Sequence, residues 1–104
     1  MSLVVVAHLH ARAGKEDDLL ELLTSVIAAT HDEEGCGLYA LHRDVEDAQA
    51  FTMVEKWAGE EALGAHFETD HLKSLLARAD ELLDQPPVIK THVAVPIGGD
   101  KGAL

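Results

Sequence analysis

Residues 3–11 hold Leu3, Val4, Val5, Val6, Ala7, His8, Leu9, His10 and Ala11, and no other stretch restricts the fold so tightly. The run is rich in β-branched residues and too short for a typical helix, so it reads as a strand. Alternate side chains of a strand face opposite sides. The first half of this one is therefore apolar on both faces. An antiparallel strand with one wet face would alternate instead. Both faces must be covered, the second by another part of the chain or by another copy of it.

Ala13, Gly14 and Lys15 break the strand, and a helix is expected over residues 16–30. Leu19, Leu22, Leu23, Val26 and Ile27 fall on one stripe at helical spacing. Glu16, Asp17 and Asp18 suit the positive end of the helix dipole. Gly35 stands where a left-handed residue is needed to turn the chain. Residues 36–43 and 50–57 read as a hairpin of two strands joined by a polar loop. A short helix is expected over 60–67 and a longer one over 71–83, with Asp70 as its N-cap. Pro86 and Pro87 forbid continuation. A last strand follows over 88–95.

The order β-α-β-β-α-β is the split arrangement of ferredoxin-like folds. The expectation is an α+β domain over residues 1–96, one antiparallel sheet with helices on one face, followed by a tail over 97–104. The other face would then be bare although several strands are apolar on both sides. Exposed apolar area of that size marks an association surface. At roughly 25 cal/mol per Å², leaving several hundred Å² wet costs on the order of 10 kcal/mol. A homodimer, sheet against sheet, is expected.

The net charge of −11 argues against nucleic acid and anionic membranes, which need clustered Lys and Arg. Cys36 is the sole cysteine, so no internal disulfide forms and a reducing compartment is the simpler reading. No basic leader precedes the first apolar run, and no segment approaches the ~20 apolar residues of a membrane helix. The expectation is a cytoplasmic protein.

Chemistry-bearing residues concentrate between residues 32 and 71. Phe51, Met53, Glu55 and Trp57 share one strand face by period two. His8 and His10 share a face of the first strand, which neighbours the third in a ferredoxin-like sheet. These two faces are expected to line one pocket, with Phe67 and His66 or His71 above. Glu55 could instead pair with Arg43 or Lys56, and Trp57 could simply fill the core. His8 and His10 have the spacing of two ligands without an evident third, so no metal is expected. Cys36 reads as a small buried hydrophobe rather than a nucleophile.

Glu34-Gly35-Cys36, Tyr39 through Asp44, Phe51 with Glu55 and Trp57, and Ala65-His66-Phe67 with His71 together resemble the antibiotic biosynthesis monooxygenase family. The branch most like this chain is that of the small quinol monooxygenase-like proteins. The resemblance implies a dimeric α+β barrel. It also implies oxidation of a quinol, anthrone or polycyclic phenol by molecular oxygen, with no metal, flavin or other cofactor. Two positions depart from the family's patterns. Met53 stands where some cofactor-free members have Asn, and His8 stands nearest the first-strand Asn of the haem-degrading branch. Haem degradation is therefore disfavoured.

Under that reading the base is sought first in His66, then His71, then His8, since imidazole titrates near neutrality. Trp57 is expected to act with His66 and His71 by stacking on the substrate ring. His8, His10, Tyr39, Phe51, Met53, Glu55, Phe67 and Arg43 are expected around the substrate. Two alternatives stand beside it: an isomerase of a small, possibly phosphorylated, hydroxy-ketone, and a dimeric ligand-binding module without turnover.

Overall fold

The computed structural model describes residues 2–104. Its elements are β1 (Leu3–His10), α1 (Glu16–His31), β2 (Cys36–Arg43), β3 (Ala50–Trp57), α2 (Glu60–Phe67), α3 (Asp70–Ala77), α4 (Ala79–Leu82) and β4 (Val88–Val93). A single 3-10 turn, Asp100–Gly102, lies in the exposed tail. The strands form one antiparallel sheet in the order β2-β3-β1-β4, with the helices on one face. This is the expected ferredoxin-like arrangement. No helix among the described residues is long and apolar enough to cross a membrane.

Register decides which residues lie under the helices. Leu3, Val5, Ala7 and Leu9 pair with Trp57, Glu55, Met53 and Phe51 across β1 and β3. All eight of these are buried on the helix side. Leu19, Leu23 and Val26 of α1 close over them, with Leu22 and Ile27 at the margin. The opposite face carries Val4, Val6, Val54, Ala40 and Leu38, none of which is fully buried within the single chain.

Gly35 turns the chain from α1 into β2 at φ +90, a conformation that favours glycine. A Cβ there would stand 2.6 Å from the Cβ of Ala62, so the residue also lets α2 approach closely. Four boundaries differ from expectation. Thr69, not Asp70, caps α3, its hydroxyl accepting the Leu72 amide. The helix expected over 71–83 is interrupted at Arg78 and continues as α4. The first strand ends at His10, with Ala11 in an isolated bridge to Leu83. The last strand ends at Val93.

Candidate active site

A cavity lies between the inner face of the sheet and the helices α2 to α4. Ala7 and Leu9 of β1, Tyr39 of β2, and Met53 and Glu55 of β3 form its floor. His66, Phe67, Leu72, Leu75, Leu76 and Ala79 form its roof, and Leu83, Pro87 and Ile89 close one end. Its volume is about 40 Å³. That is well under the roughly 150 Å³ known to admit benzene. A ring-bearing ligand therefore has to move side chains aside. Leu76 and Ile89, which line the cavity yet are 42% and 40% exposed, are placed to do so.

The polar centre is assembled from three elements. Glu33 lies in the turn after α1, His66 in the last turn of α2, and His71 in the first turn of α3. One oxygen, Glu33 Oε2, lies 2.8 Å from His66 Nδ1 and 2.7 Å from His71 Nε2. A carboxylate oxygen accepts, so both ring nitrogens facing it carry hydrogens. The hydrogen-bond network thus assigns His66 the Nδ1–H tautomer and leaves a lone pair on Nε2. Among the described residues, that Nε2 has no protein hydrogen-bond partner. Burial lowers the His66 pKa below its usual value, outweighing the opposing pull of Glu33. The ring stays neutral, as a base must. Trp57, Tyr39 and Phe67 pack around it at centroid distances of 4.5, 5.4 and 5.7 Å.

Glu55 is the second ionisable group of the cavity wall. It pairs with neither Arg43 nor Lys56; its Oε1 accepts the Trp57 indole N–H at 2.9 Å. Burial pushes its pKa up to about 7, the Trp57 hydrogen bond opposing and the nearby Glu33 charge adding to the rise. The Tyr39 hydroxyl is likewise pushed up, mainly by burial, and remains protonated at neutral pH.

The structure brings together His66, Tyr39, Met53, Glu55 and Phe67 as cavity residues. It separates the others. His8 and His10 point to the far side of the sheet, because Ala7 and Leu9 are the apolar alternates of β1 and take the helix side. His8 is exposed, 3.1 Å from the Thr52 hydroxyl. His10 is clasped between Asp47 and Asp84, at 2.9 and 2.8 Å. Arg43 is exposed at the end of β2 and stacks on Phe51, 4.5 Å from its centroid, away from the cavity lining. Phe51 and Trp57 are wholly core, so Trp57 supports His66 and Glu55 from behind rather than meeting a ligand. His71 lies beyond Glu33 and does not line the cavity. Cys36 is half-buried, its thiol pKa raised chiefly by burial, in keeping with a packing role.

Glu33 is the residue that sequence reasoning missed. It sits in an acidic run with Asp32 and Glu34, and the three look alike on paper. The usable signal is its place two residues before Gly35, at whose left-handed turn Glu33 is half-buried while both its neighbours stay exposed.

Residues 2–94 match the family model described as antibiotic biosynthesis monooxygenase. The chain is 31% identical to the Bacillus subtilis protein YcnE over 93 residues, covering 88% of this chain and 98% of YcnE. The crystal structure of PA3566 from Pseudomonas aeruginosa superposes with a TM-score of 0.83 at 32% identity, covering 90% of this chain and 94% of that one. A conserved protein from Methanosarcina mazei gives 0.84 at 30% identity, with 88% and 91% covered. With a match across nearly all of its length and the fold in agreement, the chain belongs to the antibiotic biosynthesis monooxygenase family.

Proposed function

We propose that the chain is a monooxygenase that oxidises a quinol, anthrone or polycyclic phenol with molecular oxygen, without a bound cofactor. The observation that carries this is the His66 imidazole, oriented by Glu33 on one side and opening into an apolar cavity on the other. Ground-state oxygen reacts poorly with closed-shell molecules, whereas an electron-rich carbanion or phenolate can pass it one electron. His66 Nε2 takes the proton that creates the anion. The substrate radical and superoxide then combine as a peroxide. For an anthrone methylene, breakdown of the peroxide leaves one oxygen atom in the new carbonyl and releases the other as water. An apolar chamber keeps the anion and oxygen together and excludes bulk solvent.

The wall favours this over the isomerase of a phosphorylated hydroxy-ketone. Among the described residues, no Lys or Arg lines the cavity, so nothing there would balance a phosphate charge. Oxygen uptake by metal-stripped protein, measured over a panel of naphthalene-quinols and anthrones against autoxidation controls, tests the proposal. Uptake that never exceeds the controls would overturn it; turnover under nitrogen would point to the isomerase instead.

We also propose that the chain is a cytoplasmic homodimer joined through the outer sheet face. Val4, Val6, Ala40 and Val54 form a contiguous apolar patch on paired strands, as the two-faced pattern of β1 requires.

A further inference from the structure

We infer that Glu33, His66 and His71 form a binding site for one divalent transition-metal ion of the zinc, cobalt, nickel and copper group. Each offers one ligand atom, and the three atoms lie within 4.8 Å of one another. Among the described residues, no other set of three or more such side chains meets that condition. Two imidazoles with one carboxylate match the donor preference of these ions, and three protein ligands leave a position open for water. The donors are held in place before an ion arrives. His66 is 2% exposed and packed among aromatic rings, and Glu33 and His71 are 13% and 22% exposed at their side chains. His10 forms no comparable site, since its two nitrogens face two different carboxylates.

The metal-bound and metal-free states exclude each other at His66. Without an ion, Nδ1 carries the hydrogen that Glu33 accepts. An ion on Nδ1 requires the lone pair there, so the hydrogen moves to Nε2 and no net proton is released. The cavity then meets an N–H donor instead of a lone pair. Metal loading would therefore silence the base. That consequence rests on the oxygenase reading; the binding itself does not.

The test uses the full-length chain without an affinity tag, stripped by EDTA and exchanged into metal-free buffer. Titration with zinc chloride against a chromophoric chelator should show one ion per chain. Glu33→Gln and His71→Asn should each weaken binding by more than about a hundredfold, beyond the usual effect of losing an outer-shell partner. His10→Ala should leave affinity unchanged. Binding that is absent from the parent chain, or unaltered by both site substitutions, overturns the proposal. Should a variant fail to fold, the parent chain loaded with cobalt decides: visible absorption typical of a four- or five-coordinate ion supports the site, and a six-coordinate aqua spectrum overturns it. Zinc bound as described while oxygen uptake never exceeds the controls would uphold the site and reject only the oxygenase reading.

Discussion

Glu33 Oε2 accepts from His66 Nδ1 at 2.8 Å, and this contact sets the direction in which the imidazole can act. With Nδ1 protonated, only Nε2 can receive a proton, and Nε2 belongs to the ring that lines the cavity. The pair works as a unit in which a carboxylate in a turn aims a base on a helix.

Replacing His66 with Phe keeps a ring against Trp57 and removes the base. Oxygen uptake should fall by about 10²- to 10⁴-fold, the range for a general base. Glu33→Gln should cost less, about 10²-fold, because a glutamine oxygen can still accept from Nδ1 while its amide can also favour the opposite tautomer; full tautomer inversion costs nearer ~10⁴. Steady-state rates on the substrate found in the uptake panel check both.

Glu55 makes stability depend on pH. Its pKa rises from 4.5 to about 7 on folding, so the native chain holds the proton where the unfolded chain has released it. Stability should therefore decline as pH rises between about 4.5 and 7, by up to roughly 3 kcal/mol, and level off above. Glu55→Gln should flatten that decline and make the variant more stable than the parent at pH 8. Urea unfolding at several pH values measures both curves.

Trp57→Phe removes the indole N–H that Glu55 accepts and leaves a gap in a fully buried site. A loss of about 2–4 kcal/mol is expected from the orphaned carboxylate and the missing volume together. Adding Glu55→Gln should recover part of it, giving non-additive costs in a double-mutant cycle.

Gly35→Ala should destabilise by about 1–3 kcal/mol, since φ +90 is strained for any side chain and the new methyl meets Ala62. Chemical unfolding reads this directly. Gly14→Ala is the contrast: its φ is also positive, at +86, but its Cβ would meet nothing. It should show the backbone strain alone.

Val54→Asp places a charge in the middle of the outer sheet face, opposite Val6. Sedimentation of the parent chain should give twice the 11.2 kDa chain mass, and the variant should sediment at or near the single-chain mass. A parent chain that runs as a monomer at micromolar concentration would remove the dimer from the proposed function.

Most of the fold was legible along the chain because it depends on periodicity and punctuation. The apolar alternation of β3, the stripe of α1, Gly35 and the two prolines are local signals, and the elements they mark fall where they place them, while the helix expected over 71–83 is broken at Arg78. Helix ends were less legible. Thr69 and Asp70 are both good caps, and only the backbone geometry chooses between them. The site was half legible. Tyr39, Met53, Glu55, His66 and Phe67 follow from strand parity and the helical block, but His8 and His10, expected in the pocket, lie on the other side of β1. Parity says which residues share a face and not which face is inward, a choice made by the apolar Ala7 and Leu9 against the helices.

The sequence by itself determined the element order, the ferredoxin-like class, the family and the apolar character of both faces of the first half of β1, because all of these are written in short-range patterns. Tertiary structure alone decided that Glu33 joins His66 to His71 across 33 and 38 positions of chain. It also decided that Trp57 answers Glu55 instead of a ligand. Such pairings arise where separate elements cross, and the direction of approach there comes from packing, which no local spacing encodes.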